Sequence, residues 1–279
     1  MGKIIGIDVG ISTTKIVALR DGKPVSPLRI TAADPITSLY GAFGKFLHDN
    51  NVPIGDVERV MLTGVGAAYV KNDVYGVPTS RCDEFVADAL GARYESHIDH
   101  AIVVSMGTGT SFVMCNGDEI RHIGGIGIGG GTLMGLSRIM LNTSDIKLLS
   151  AMAMQGDISH VNLLIGDISA QPLPGLPMEA TASIFARAKN DAAKEDIACG
   201  LVAMVLQSIG SAAVLAAQGT NCRDMVLIGS LSLLPQCKEV FPALERLYNV
   251  RFHIPKYSEY CTAIGAALAH TEHKALAGR

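Results

Sequence analysis

A glycine turn between an apolar strand and a second strand occurs twice in this sequence, at residues 8–15 and again at residues 105–113. Helical patterns lie between and after the two copies, so strands and helices alternate along the chain. This order predicts an α/β architecture, and the repeat predicts two similar halves. We place the boundary close to residue 98, which gives an N-terminal lobe at 1–98 and a C-terminal lobe at 99–279.

Hydrophobic periodicity predicts most of the helices. We expect them at 34–51, 82–94, 132–141, 144–154, 180–189, 195–218 and 262–276. Ser80 is the predicted cap of the second helix, with Asp83 three residues later. The last helix is expected to pack back towards the first lobe.

Composition excludes several classes of protein. Hydrophobic residues make up 48% of the 279 residues and charged residues 18%, so the chain can bury a sizeable core. The net charge of −3, with no long basic run and no Trp, argues against a nucleic-acid partner. No apolar run reaches the roughly 18–20 residues of a membrane span, and the first residues lack a signal-peptide layout. Six scattered cysteines are typical of reduced thiols, so we expect a cytoplasmic protein without a membrane partner.

Residues 124–131 contain six glycines and lead into a predicted helix. Glycine costs conformational entropy, so such a segment has a structural or a functional reason. One interpretation is that its backbone approaches an anionic ligand at the start of the helix. The other is that the segment turns tightly between packed elements. The segment alone leaves both open.

Three further glycine turns follow apolar strands, at Gly10, at Gly107 with Gly109, and at Gly229. Four such loops in an α/β sequence favour a nucleotide polyphosphate ligand, held by backbone N–H groups. Hydroxyl groups beside the loops would add donors; they belong to Ser12, Thr13, Thr108 and Ser111. The chain has no G-x-x-x-x-G-K-[ST] motif, which excludes the P-loop class. The spacing of Gly125, Gly127 and Gly130 matches G-x-G-x-x-G, but its place in the chain disfavours a dinucleotide fold.

Several segments resemble one superfamily. "IGIDVGISTTK", "SMGTGTSF" and "VLIGSLS" are similar to the two phosphate loops and the adenosine loop of the actin-like, sugar-kinase and heat-shock ATPases. "CDEFVADALGA", "GTGTS" and "GGIGIGGGT" together resemble the type II pantothenate kinases, or fumble-like family. The resemblance implies a two-lobed actin-like ATPase (ribonuclease H-like) fold with a nucleotide cleft between the lobes. It also implies a homodimer that uses ATP and Mg²⁺ to phosphorylate the 4′-hydroxyl of pantothenate, the first step of coenzyme A biosynthesis. Coenzyme A or an acyl-CoA is a candidate feedback ligand.

The resemblance assigns roles to particular residues. Asp8 would hold Mg²⁺, and Glu84 would be the catalytic base, with Asp88 one helical turn later as its rival. The predicted ATP-binding residues are Asp8, Gly10, Ser12, Thr13, Lys15, Gly107, Gly109, Gly125, Gly127, Gly129, Gly130, Gly131, Gly229 and Ser230. The predicted substrate-binding residues are Thr108, Ser111, Arg121 and His122.

The sequence departs from the family pattern at three positions. Ile11 replaces a glycine of the first loop, and Ser105 stands where many superfamily members have an acid. The family has an arginine that holds the substrate carboxylate where this chain has His122, with Arg121 one residue earlier. Neighbouring strand residues point to opposite faces. Either a bulge turns Arg121 inward, or His122 binds the carboxylate more weakly, or the substrate differs.

Three alternative functions remain open from the sequence. The first is a kinase for another small hydroxylated metabolite of the same superfamily. The second is an iron–sulfur ATPase that activates a radical dehydratase, in which Cys82 and Cys115 would hold a cluster shared by two subunits. The third is a regulator that binds coenzyme A without catalysis, which the presence of Asp8 and Glu84 disfavours.

Overall fold

The computed structural model describes residues 2–11, 13–20, 22–31, 34–171 and 174–277. Its architecture is α/β, with two five-stranded sheets. The first sheet has the order β3-β2-β1-β4-β5. Its strands are β1 (Lys3–Val9), β2 (Thr13–Arg20), β3 (Lys23–Thr31), β4 (Val57–Thr63) and β5 (Thr79–Arg81). Strands β1, β2 and β3 form an antiparallel meander, whereas β4 and β5 continue the sheet in parallel with β1.

The second sheet repeats this arrangement, with the order β12-β11-β6-β7-β8. Its strands are β6 (His100–Met106), β7 (Thr110–Asn116), β8 (Glu119–Ile126), β11 (Asp224–Ile228) and β12 (Arg251–His253). Here too, three antiparallel strands come first and two parallel strands follow. The predicted α/β architecture and its internal repeat are therefore confirmed. A small additional sheet pairs β9 (Leu163–Leu164) with β10 (Thr181–Ser183).

Eight α-helices accompany the sheets in the described residues. They are α1 (Pro35–Asp49), α2 (Glu84–Ser96), α3 (Gly130–Leu141), α4 (Ile146–Ala153), α5 (Ile165–Ile168), α6 (Lys194–Ala217), α7 (Cys237–Tyr248) and α8 (Cys261–Ala277). Helix α1 shows why the chain folds locally in this way. The Asp34 carboxylate accepts a hydrogen bond from the Thr37 N–H, and Pro35 occupies the first turn, where no N–H is needed. One face of α1, which includes Leu39 and Phe43, then packs on the first sheet.

Two sequence predictions about helices are wrong. Residues 180–189 form β10 and turns instead of a helix. Helix α2 begins at Glu84 and is capped by Asp83, whereas Ser80 lies in β5 and accepts a hydrogen bond from Arg59. Asp83 is the better cap because its carboxylate reaches the N–H groups of the first turn.

Helix α6 is long and apolar enough to cross a membrane, judged by length and composition alone. Its most apolar window has a mean hydropathy of 1.9, so the prediction that no such segment exists was wrong on this criterion. However, 56% of that window is buried, and a single helix of this kind is weak evidence for a membrane span. Leu201, Val205 and Ile209 lie in the core of the second half, together with residues of α3, α4 and α7.

Helices α2 and α8 lie between the two sheets, and each packs on the sheet of the other half. Helix α2 contacts β6, β7, β8 and β11, whereas α8 contacts β1, β2 and β4. The two helices cross at backbone distance. A Cβ atom at Gly91 would collide with the carbonyl group of Cys261, and one at Gly265 would collide with that of Ala87. This crossing joins the halves at the place where the candidate site lies.

Candidate functional site

The first glycine turn presents a buried ion pair. Asp8 and Lys15 face each other across β1 and β2, and the Asp8 Oδ2 atom lies 3.5 Å from the Lys15 Nζ atom. Burial raises the pKa of Asp8, while the charge and the hydrogen bond of Lys15 lower it. The lysine thus supports the charge of an otherwise desolvated carboxylate.

The turn itself is closed by the backbone. The Gly10 N–H donates to the Thr13 carbonyl oxygen over 3.0 Å. Ile11 is 62% exposed and is not among the residues with positive φ, so its β-branched side chain meets no steric conflict here. Ser12, a predicted phosphate-binding residue, lies outside the described residues.

Thr63 is a neighbour of Asp8 that the sequence reasoning did not single out. It is the partner of Asp8 across β1 and β4, and it is buried. Within the described residues, its hydroxyl oxygen has no hydrogen-bond partner. The available signal was the Thr-Gly pair that ends β4, which places a hydroxyl group at a strand end like those of the glycine loops.

Glu84 is the first residue of α2 and is half-buried. Burial raises the pKa of its carboxyl group, and the negative charges of Asp8 and Asp83 raise it further, whereas Lys15 lowers it. Because these charges act on Glu84, the helix start lies close to the Asp8–Lys15 pair. A carboxylate of raised pKa that solvent still reaches has the properties of a general base.

Asp88, the rival base, is completely buried. The Thr262 hydroxyl of α8 donates to its Oδ1 atom over 2.6 Å. A substrate hydroxyl cannot reach a side chain without exposed surface in this state. Of the two carboxylates on this face of α2, only Glu84 is accessible.

The second glycine loop packs directly on the start of α3. The N–H groups of Gly130 and Gly131 donate to the carbonyl oxygens of Gly107 and Thr108 over 2.8 and 2.9 Å. A Cβ atom at Gly129 would lie 2.6 Å from the Thr108 carbonyl oxygen, so only glycine allows this approach. Packing between elements therefore accounts for these three glycines.

Most of the glycine amides singled out in the sequence are already hydrogen-bonded within the chain. Carbonyl oxygens accept from the N–H groups of Gly10, Gly107, Gly130, Gly131 and Gly229. By contrast, the N–H groups of Thr108 and Gly109, at the tip of the second hairpin, have no acceptor among the residues that the structure describes. The tip consequently offers two free donors for an anion. Gly125 lies opposite Ser111 in the sheet, and Gly127 follows β8.

One face of the second sheet is turned towards α2. Val103 of β6 and Val113 of β7 pack against α2 residues on that face. Since side chains alternate along a strand, Ser105 and Ser111 lie on the same face, nearer the start of α2. The strand geometry thus brings the candidate substrate residue Ser111 to the side of the sheet where Glu84 begins its helix.

His122 and Arg121 lie on opposite faces of β8. The His122 ring stacks on Phe85, the residue after Glu84, with the ring centroids 4.0 Å apart. An Arg121 nitrogen instead lies 3.8 Å from the Met114 sulfur. A bulge is present, but it lies at Ile123, after both residues, and leaves Arg121 facing away from α2. Of the two candidate carboxylate ligands, the structure places only His122 beside Glu84.

The third loop is tied to the first sheet by an ion pair. The Ser230 hydroxyl donates to the Glu259 carboxylate over 3.2 Å, and the same oxygen lies 3.0 Å from the Arg29 guanidinium of β3. Glu259 is buried, so its charge is balanced by this cation. Sequence reasoning missed Arg29 and Glu259 because no local pattern links residues so far apart.

Cys115, one of the two cysteines of the iron–sulfur alternative, is not placed to hold a shared cluster. Cys115 lies buried in β7, and burial raises the pKa of its thiol to about 12. Cluster ligands are thiolates. Because Cys115 is buried within β7, it cannot reach a second subunit as a ligand, which argues against the iron–sulfur alternative.

The donor set suits a magnesium ion bound chiefly through phosphates. The described residues contain no group of three or more His, Cys, Asp or Glu side chains that could hold a metal by themselves. Magnesium at nucleotide sites commonly uses one or two carboxylates, with waters and substrate phosphates as the other ligands. The single carboxylate of Asp8 fits this arrangement.

Comparison with known proteins identifies the family. The sequence model of the Fumble family matches residues 92–268, more than half of the chain. The chain belongs to the Fumble family. A relative from Staphylococcus epidermidis is named type II pantothenate kinase. It is 26% identical to this Fumble protein over 238 residues, which cover 81% of this chain and 84% of the relative.

Solved structures similar to this Fumble protein show its fold. The activator of 2-hydroxyisocaproyl-CoA dehydratase from Clostridium difficile, with bound ADPNP, has a TM-score of 0.71 at 16% identity, over 99% of this chain and 97% of that one. A ROK family glucokinase from Streptomyces griseus, in complex with glucose and AMPPNP, has a TM-score of 0.61 at 13% identity, over 96% and 99%. The predicted two-lobed ATPase fold is confirmed.

Proposed function

We propose that this protein is an ATP-dependent pantothenate kinase, which transfers a phosphoryl group to the 4′-hydroxyl of pantothenate. The observation that carries the proposal is the accessible carboxylate of Glu84 at the start of α2, close to the buried Asp8–Lys15 pair. Membership of the Fumble family and the name of the Staphylococcus epidermidis relative support pantothenate as the substrate.

The phosphate end of the site is assigned to the glycine loops. The free N–H groups of Thr108 and Gly109 and the Lys15 ammonium are donors for phosphate oxygens, and Asp8 is the carboxylate for Mg²⁺. When bound, ATP supplies the phosphoryl group and Mg²⁺ neutralises its charge. The other predicted nucleotide residues shape these loops, since most of their amides are satisfied internally.

Glu84 is assigned the proton transfer. Its carboxylate accepts the proton of the substrate hydroxyl as the oxygen attacks phosphorus. The raised pKa favours this role because a base with a pKa nearer the working pH holds the proton more firmly. The negative charges of Asp8 and Asp83 raise this pKa, and they thereby favour uptake of the substrate proton by Glu84.

Thr108, Ser111 and His122 are assigned to the substrate. Ser111 lies on the sheet face that meets α2, and His122 is fixed there by its stacking on Phe85. His122 is therefore the proposed ligand for the substrate carboxylate. Arg121 faces away, so its predicted role would require a rearrangement of β8.

The larger arrangement is proposed on the family resemblance. The lobes at 1–98 and 99–279 would enclose the nucleotide, with the α2–α8 crossing beneath it. The protein would act in the cytoplasm, in keeping with the free cysteines of the described residues.

The protein would form a homodimer and bind coenzyme A or an acyl-CoA as a feedback ligand. Ile139 of α3 and Leu148 of α4 are 80% and 50% exposed, and we propose them as apolar positions that contact the second copy.

An assay of ADP release tests the proposal. The purified protein is supplied with MgATP and, in parallel, with pantothenate, several sugars and other small hydroxy acids. We expect pantothenate to raise the rate well above background, and coenzyme A added to the same reaction to reduce it. A rate that rises only with a sugar would contradict pantothenate as the substrate, but it would not affect the assignment of the fold. No rise with any acceptor would contradict the kinase reaction itself.

A further inference from the structure

The inference concerns Asp88, which the proposed reaction does not use. This side chain has no exposed surface and lies one turn after Glu84 on the same face of α2. Its Oδ1 atom is bound to the Thr262 hydroxyl of α8 at 2.6 Å. The contact lies at the α2–α8 crossing, where Gly265 and Ala87 already bring the two backbones together. Asp88 thus joins the helix of the candidate base to the helix that covers the first sheet.

The surroundings of Asp88 do not support a negative charge. Within the described residues, its buried Oδ2 atom has no hydrogen-bond partner. The groups that face it are Glu84 on α2, Asp8 on β1, Ser105 on β6, the Cys115 thiol on β7, and Thr262 and the Cys261 thiol on α8. The nearby ammonium of Lys15 is paired with Asp8. A fully buried carboxylate that faces two other carboxylates, and that has hydroxyl groups but no cation of its own, is strongly disfavoured, so the group takes up a proton.

We propose that Asp88 is a positioning residue that is protonated below neutral pH and pins α2 to α8 directly beneath Glu84. In this state the face of α2 turned towards the site carries one negative charge, on Glu84, instead of two. Ionisation of Asp88 would place an uncompensated charge inside the crossing and next to the site assigned to the polyphosphate. The activity part of this inference rests on the proposed kinase function, whereas the protonation part does not.

The electrostatic surroundings set the pH at which this state is lost. Burial raises the pKa of Asp88 to about 7, and the charges of Glu84 and Asp8 also raise it, while the hydroxyl groups of Thr262 and Ser105 lower it. The unfolded chain has the ordinary value of 3.8. Because the folded value is the higher one, the stabilisation by the bound proton is complete below pH 3.8 and is lost as the pH rises to about 7.

Unfolding measurements test the protonation without any substrate. Wild type, Asp88→Asn and Thr262→Val are unfolded in urea at a series of pH values from about 4 to 9. Asn mimics the neutral acid, so we expect Asp88→Asn to gain stability relative to wild type as the pH rises towards 7, and then to keep that gain. Thr262→Val removes a hydroxyl that lowers the pKa of Asp88. In this variant, the fall of unfolding free energy with rising pH should therefore continue to a higher pH than in wild type. Thr262→Ser should restore the wild-type profile.

Kinetic measurements test the link to the site. Above pH 7, we expect the KM for ATP to rise roughly tenfold in wild type because of the added negative charge, and to stay level in Asp88→Asn. At pH 6, Asp88→Asn should keep a kcat close to that of wild type. A merely structural contact would lower stability equally at all pH values and would not move these profiles.

Three results would overturn the inference. The first is an identical pH dependence of stability in wild type and Asp88→Asn. The second is a kcat at pH 6 that falls in Asp88→Asn as far as in Glu84→Gln, which would make Asp88 the base. The third applies if Asp88→Asn does not fold. The infrared band of a protonated carboxyl group is then followed in wild type and Thr262→Val, and absence of this band at pH 6 would overturn the inference. If no variant uses pantothenate, the proposed function fails and the unfolding profiles still decide the state of Asp88.

Discussion

Three carboxylates near the candidate site differ only in their surroundings. Asp8 is buried and paired with Lys15, Glu84 is half-buried at a helix start, and Asp88 is sealed against α8. Burial is the largest influence on the pKa of each, and it raises all three. Since Glu84 alone combines this effect with access, a single residue is suited to accept a proton from a substrate.

Glu84→Gln is therefore expected to lower kcat with pantothenate by about 10²–10⁴-fold, the usual contribution of a general base. Glutamine keeps the size of the side chain and cannot accept the proton. Binding of ATP, followed by titration calorimetry, should persist because α2 does not hold the phosphates. The matched control is Glu119→Gln, which removes an exposed carboxylate at the start of β8. A near-normal kcat in Glu84→Gln would show that another group is the base.

His122→Ala is expected to raise the KM for pantothenate by about 5–150-fold, the effect of losing roughly 1–3 kcal/mol of binding free energy. Its ring is held beside the start of α2 by Phe85. Arg121→Ala, one residue away on the opposite face of β8, should leave KM almost unchanged. Steady-state kinetics with varied pantothenate separates the two. The reverse outcome would mean that β8 rearranges when substrate binds.

At the scale of elements, the α2–α8 crossing depends on two small residues. Gly265→Ala is expected to destabilise the protein by at least the ~1–3 kcal/mol of an overpacked core, because the new methyl group would collide with the Ala87 carbonyl. Gly41→Ala is the control within a helix. A Cβ atom there meets nothing within 4 Å, and alanine should stabilise α1 by roughly 0.5–1 kcal/mol. Urea unfolding measures both. Equal stability of Gly265→Ala and wild type would contradict the tight crossing.

Most elements could be predicted from hydrophobic periodicity, and the exceptions depend on where the segment lies in the folded protein. Strand β3 was not predicted, since Pro24 and Pro27 disfavour a strand. It forms because it is the edge of the sheet, where an N–H is not always needed. The helix predicted at 180–189 is replaced by β10, which pairs with β9, and by a turn in which the Asn162 side chain accepts from the Phe185 N–H. These contacts come from outside the segment.

The candidate site shows the same limit. The glycine turns, Asp8 and Glu84 stand out as motifs, so the sequence was sufficient to propose them. The preference for Glu84 over Asp88 came from the family resemblance alone, because both residues lie on one face of α2. What separates them is Thr262, 174 residues further along the chain, which seals one and leaves the other accessible. Burial caused by a distant element has no local signature.

At the scale of the whole molecule, the proposed homodimer makes a prediction about surface residues. Ile139→Asp places a charge on an exposed apolar position of α3 and should shift sedimentation from dimer to monomer. Ile54→Asp, which changes an exposed isoleucine of the first half in the same way, should leave the dimer intact. If both variants sediment as wild type does, the second copy binds elsewhere. If wild type is itself a monomer, the homodimer is wrong.

Helices α2 and α8 each pack on the sheet of the other half, and this arrangement has a consequence during synthesis on the ribosome. The strands of the first sheet are translated early, yet one of its faces is covered by Ile264 and its neighbours on α8, among the last residues described. Until that helix leaves the exit tunnel, Val17 and the surface around it remain exposed to water and to other nascent chains. Local pairing of β1 with β2 and β3 can precede it, but that half cannot be finished first. The time spent with this face uncovered is therefore set by the rate of translation.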